Sequence, residues 1–198
     1  MMYDKLVEEL CKILQLEEQG YLNVYYGDQS GFCLEPTIPY GWQPKDKYVR
    51  ICPKKSKRLN VFGLLSKDND IQAYSTTGTI CSDLMIAFLD DFANQITQKT
   101  VVVLDNAPIH HSEEFQEQMI EWEKQDLYIF FLPTYSPHLN FIERLWLKSK
   151  YQWLKPKDYL SFDTLNEAVE TIMNQIGKKL SIDFNEPKHF TEFKTAFN

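Results

Sequence analysis

The 198-residue chain has no apolar run long enough to span a bilayer; runs such as Val101 to Leu104 and Leu127 to Leu132 are short. It does not open with the basic start and apolar middle of a secretory leader, so no membrane partner and a cytoplasmic location are expected. Cysteine is sparse: Cys11, Cys33, Cys52 and Cys81 lie far apart, with no C-x-x-C pair. That spacing argues against a disulfide framework and a zinc ribbon, and for a reducing compartment. His110-His111 has no second ligand pair at metal spacing, which argues against structural zinc. Internal repeats and low-complexity linkers are missing too. What is present is ordinary for a globular protein, with 43% hydrophobic and 25% charged residues, enough for one α/β domain with a real core.

Acidic residues outnumber basic ones, giving a net charge of -7, which as a total argues against nucleic acid. The distribution argues the other way. Lys45 to Arg58 holds seven basic residues and one acid, and Arg144 to Lys157 holds five basic residues and no acid. The pattern is that of two basic patches on an acidic body, or of two solvated lysine-rich loops.

Apolar spacing predicts a helix over residues 3 to 19, ended by Gly20. A strand follows from Tyr21, ending at Asp28. Lys47 to Cys52, Leu59 to Leu65 and Ile71 to Ser75 read as further strands, and Ser82 as the cap of a helix. Val101 to Leu104 and Leu127 to Leu132 read as strands buried on both faces. Helices are expected over Glu113 to Gln125, Phe141 to Leu154 and Phe162 to Leu180. Antiparallel strands followed by strand–helix alternation predict an α/β fold with a mixed sheet flanked by helices.

Functional groups in such sheets gather at the carboxyl ends of the parallel strands. Asp105 directly follows Val-Val-Val-Leu, and Asp28 follows Leu-Asn-Val-Tyr-Tyr-Gly. Two aspartates at the ends of neighbouring strands would face each other, and like charges held close favour a shared divalent cation. Each also reads as a turn residue. Glu143 fits a capping box with Asn140, yet lies on an otherwise apolar stripe with Trp146, Leu147, Tyr151 and Leu154, interrupted by Lys150. Arg144, Lys148 and Lys155 form a separate basic edge suited to a phosphodiester. Trp42 and Tyr135 are candidate base- or sugar-stacking residues, and also read as packed aromatics.

Three segments are far more specific together than apart: Tyr25-Tyr-Gly-Asp28-Gln-Ser-Gly-Phe32, Val101-Val-Val-Leu-Asp105-Asn-Ala-Pro-Ile-His-His-Ser112, and Leu132-Pro-Thr-Tyr-Ser-Pro-His-Leu-Asn-Phe-Ile-Glu143-Arg-Leu-Trp146. The chain from about Tyr21 to about Ile176 resembles the catalytic domain of DDE transposases, in their mariner-like bacterial insertion-sequence branch. Trp42, in Tyr-Gly-Trp-Gln-Pro, resembles the family's tryptophan loop.

The resemblance implies a ribonuclease H-like fold with a five-stranded mixed sheet, shared with retroviral integrases. It implies Asp28, Asp105 and Glu143 as both catalytic and metal-binding triad, holding two Mg²⁺ ions, with Mn²⁺ able to substitute. Asp28 would bridge the ions while Asp105 and Glu143 each hold one side. The implied activity is DNA cleavage at transposon ends followed by strand transfer into target DNA. DNA contacts would fall on Trp42, Lys54, Lys55, Lys57, Arg58, His110, Arg144, Lys148 and Lys155. Implied partners are the terminal inverted repeats, target DNA, a homodimer mate and a separate N-terminal DNA-binding chain, in the bacterial cytoplasm at the nucleoid. Residues 1–20 would be a linker to a missing DNA-binding region, and 21–198 the catalytic domain. Three departures stand out: Gln29 where an acid is expected, Phe141 where a proline often opens the third helix, and 37 residues between Asp105 and Glu143. A non-catalytic DNA-binding or dimerisation module, and a nuclease on the same fold, are the alternatives.

Overall fold

The computed structural model describes residues 2–35, 45 and 57–184. Helix α1 (Met2–Glu18) leads into strand β1 (Asn23–Phe32), then β2 (Leu59–Ser66) and β3 (Ile71–Thr76). Helix α2 (Ser82–Ala93), β4 (Thr100–Leu104), α3 (Glu113–Glu123), β5 (Leu127–Phe131), α4 (Ile142–Lys148) and α5 (Phe162–Gln175) follow. The expected Lys47 to Cys52 strand, and Trp42, Lys54 and Lys55, lie outside the described residues.

The five strands form one sheet in the order β3-β2-β1-β4-β5. β1, β2 and β3 pair antiparallel, whereas β1–β4 and β4–β5 are parallel. The mixed sheet and its flanking helices are the expected architecture. Side chains alternate across the sheet because successive Cβ atoms point to opposite faces. Val24, Tyr26, Val61, Leu65, Val101 and Val103 meet α1, α4 and α5 on one face. Tyr25, Phe62, Leu64, Val102 and Leu104 meet α2 and α3 on the other. Every residue of β2 and of β4 is buried, as covering both faces requires. Each large apolar side chain so enclosed contributes about 1.5–3 kcal/mol.

Four differences from the expected boundaries stand out. β1 continues to Phe32, because Gly27 to Phe32 pair with Leu64 to Leu59 of β2. α4 ends as an α-helix at Lys148 and runs on as a wider π turn, Ser149–Trp153, closed by the Leu154 amide donating to the Ser149 carbonyl. α5 stops at Gln175, and Gly177 takes a φ of 74° that turns the chain back. Ser82 is the first helical residue of α2, with Cys81 at the cap position and no side-chain cap bond; the Ser82 hydroxyl pairs with that of Ser112 at 2.6 Å.

Candidate active site

Parallel pairing of β1 with β4 ends at Tyr26 and Val103. Two residues further along each chain stand Asp28 and Asp105. Asp28 is therefore inside a strand, opposite Gly63 of β2, and not at a strand end as its glycine-rich surroundings predict. The crevice nevertheless opens where β4 departs, so both carboxylates reach the same rim.

The third acid arrives from the opposite layer. A Cβ on Gly63 would lie 3.0 Å from both Ile142 Cδ1 and Trp146 Cη2, so the missing side chain lets α4 sit directly on β2. Helix α4 then brings Glu143 to the rim and Trp146 beneath it, where the indole Nε1 donates to Asp28 Oδ2 at 3.0 Å. Glu143 is not held in a capping box. Phe141 occupies the N-cap position without a side-chain cap, and Asn140 Nδ2 donates to the Gly27 carbonyl at 3.0 Å instead.

Asp28, Asp105, Glu143 and Asn140 line one cavity of about 450 Å³, together with Asn106, Ala107 and residues 132–137. Asp28 and Glu143 are half-buried, and Asp105 is exposed. Burial, then the neighbouring Glu143 and Asp105 charges, push Asp28 up to about 7. Burial also raises Glu143, with Lys150 opposing and Asp105 adding to the shift. Acids that destabilise one another's charge in a shared cavity are suited to a cation. Among the described residues no three His, Cys, Asp or Glu side chains close into a ready-made metal cage. An open set of hard oxygens fits Mg²⁺, which keeps several waters and takes one or two carboxylates plus substrate phosphate.

Asp105 is held from behind. A short 3₁₀ turn, Pro108–His111, folds His110 back so that its Nδ1–H donates to the Asp105 carbonyl at 3.0 Å. The ring is only 4% exposed and stacks on Phe131. This burial removes His110 from the surface on which a DNA contact was expected.

The basic candidates divide. Arg58 is exposed and lies across Gly31, where any Cβ would collide with its guanidinium. Lys57 is exposed beside it. Arg144 Nη1 donates to the Asp183 carbonyl at 2.7 Å and Lys148 Nζ to that of Ser181 at 3.0 Å, so this edge grips the 181–183 segment. Lys155 lies past the π turn and donates to the Gln152 carbonyl at 2.7 Å, away from the expected helical row. The cation near the acids is Lys150, which sequence reasoning passed over as an interruption of the apolar stripe. It is half-buried, 5.3 Å above the Phe32 ring, and lowered by burial and by nearby Arg58, with Glu143 and Asp28 opposing. Its position seven residues after Glu143, two helical turns on, was the available signal. Tyr135 is fully exposed at the cavity rim with φ 58°.

Residues 23–166 match the family model described as DDE superfamily endonuclease. A protein of Shigella sonnei named "Insertion element IS630 uncharacterized 39 kDa protein" is 29% identical over 126 residues, covering 62% of this chain and 36% of that protein. The Mos1 mariner paired-end complex with Mn aligns with 98% of this chain and 57% of its own, at TM-score 0.58 and 10% identity. The Mos1 transposase paired-end complex with the left transposon end aligns with 99% and 62%, at TM-score 0.57 and 10% identity. At such identity the likeness is one of fold, the ribonuclease H-like fold. The chain spans about a third of the curated relative's length and about three fifths of the solved transposase chains.

Proposed function

Because this chain belongs to the DDE superfamily of endonucleases, we propose that it is a transposase catalytic domain that cuts DNA phosphodiesters at transposon ends and joins those ends to target DNA. The observation that carries the reading is the convergence of Asp28, Asp105 and Glu143, from β1, the end of β4 and α4, on one cavity. In this reading Asp28, Asp105 and Glu143 would together hold the divalent metal, Mg²⁺ or in its place Mn²⁺. When bound, the metal supplies Lewis-acid polarisation of the phosphate and activation of the attacking oxygen.

The protein's own part is orientation and charge. Trp146 and the backbone amide of Gln29 both donate to the Asp28 carboxylate and fix its orientation. His110 fixes the backbone from which Asp105 projects. Lys150, with Arg58 close to it, places positive charge near Glu143 and Asp28 and draws the DNA backbone to the acids in this reading. Lys57 is exposed next to Arg58, and Trp42, Lys54 and Lys55 are proposed as further DNA contacts. Terminal inverted repeats, target DNA and a second copy of the chain are its partners, and sequence-specific recognition of the ends falls to a DNA-binding region on the same or a separate chain. The reaction belongs to the bacterial cytoplasm; among the described residues no helix is long and apolar enough to cross a membrane.

Nicking of supercoiled plasmid DNA in Mn²⁺ tests the reading. Wild type nicks, whereas Asp105→Asn folds normally and does not; full activity in that variant overturns it.

A further inference from the structure

Asn140 is 4% exposed, lines the acidic cavity, and contacts the backbone on both sides of it. Its side-chain Nδ2 donates to the carbonyl of Gly27, the residue before Asp28. Its own carbonyl accepts from the Glu143 amide at 3.2 Å. One residue thus links the strand that presents Asp28 to the helix turn that presents Glu143.

The orientation of the amide follows from chemistry. A carbonyl can only accept, so the Asn140 nitrogen must face Gly27, which turns Oδ1 the other way. That oxygen is buried and has no hydrogen-bond partner among the described residues. An unmet buried acceptor is destabilising, and one beside a polar cavity is suited to a bound water.

We infer that Asn140 is a positioning residue whose Oδ1 accepts a hydrogen bond from a water on the metal held by Asp28 and Glu143. This rests on the metal-site reading above. Residues that orient a metal's immediate ligands commonly change metal affinity by about 10–100-fold when lost. The two ends of the amide then have separate tasks: the nitrogen holds Gly27, and the oxygen holds the water.

Mn²⁺ titration of the full chain, followed by electron paramagnetic resonance, separates them. Asn140→Ala loses both groups, and its Mn²⁺ affinity is expected to fall about 10–100-fold. Asn140→Asp keeps the acceptor and loses the donor, so it should melt lower than wild type, as the alanine variant does, yet recover most of the Mn²⁺ affinity. Equal weakening of both variants overturns the inference, as does unchanged affinity in the alanine variant, and a wild-type crystal structure with Mn²⁺ separates a bridging water from a gain made by the charge of the added carboxylate alone. Absence of Mn²⁺ binding by wild type overturns the metal reading and this inference together. Should either variant fail to fold, a wild-type crystal structure with Mn²⁺ decides: a water bridging the ion and Asn140 Oδ1 supports the role, and its absence refutes it.

Discussion

The Trp146 indole and the Asp28 carboxylate meet at 3.0 Å, across 118 residues of sequence and between the two layers of the fold. The bond joins helix α4 to strand β1 at the place where the acids assemble. It is reachable because Gly63, beside Asp28 on the neighbouring strand, offers no side chain to keep the indole away.

Trp146→Phe keeps an aromatic ring in the core and removes the donor. Stability should fall by about 1 kcal/mol, the usual net worth of such a bond. Mn²⁺ affinity should fall by about 10-fold or more as Asp28 loses its fixed orientation. Calorimetric titration beside thermal melting checks both, and unchanged affinity contradicts the orienting role.

Gly63→Ala places a methyl group against Ile142 and Trp146. Overpacking of this kind costs about 1–3 kcal/mol and moves α4 outward, carrying Glu143 with it. Plasmid nicking should fall further than the loss of stability accounts for. Nicking at the wild-type rate would show that α4 tolerates displacement.

Asp28 makes the metal-free protein sensitive to pH. Its carboxyl rises from an ordinary 3.8 to about 7 in the folded chain, through burial first and Glu143 second. The folded state therefore retains a proton that the unfolded state releases, so this group's contribution to stability declines as pH rises from about 4 to about 7. Asp28→Asn should raise the melting temperature in EDTA more at pH 8 than at pH 5. Mn²⁺ competes with the same proton, so wild-type affinity should climb over that interval.

Lys150→Ala should weaken DNA binding at low salt and reduce the slope of log affinity against log salt by about 1, as loss of one phosphate contact does. Lys150→Arg should restore the slope. Fluorescence anisotropy across a salt series measures it, and an unaltered slope removes Lys150 from the DNA surface.

Much of the fold was legible where local chemistry and tertiary context agree. Val101 to Leu104 read as a doubly covered strand because nothing polar interrupts it, and every residue of β4 is buried; Leu127 to Leu132 read the same way, but β5 is the edge strand and only Leu127 of it is fully buried. The end of β1 was harder. Gly27, Ser30 and Gly31 resemble a turn, and only the partner strand β2, joined by hydrogen bonds across the sheet, draws them into register. Asn140 misled in a similar way. Its spacing from Glu143 suits a local cap, but the Gly27 carbonyl, distant in sequence and left beyond the parallel pairing, takes the amide instead. The acids themselves were legible from position and motif. The supporting groups Trp146, His110 and Lys150 were visible as residues, while their tasks depend on contacts that spacing along the chain does not encode.

The unequal mounting of the three acids has a mechanical consequence. Asp28 is stitched into the sheet by β2 and pinned by Trp146, whereas Asp105 stands on the first residue of a loop and Glu143 on the first turn of a helix only seven residues long before it widens. Each acid thus hangs from its own anchor, the sheet, the loop clasped by His110 or the turn bridged by Asn140, and a fault in one anchor misplaces one acid while the other two keep their positions.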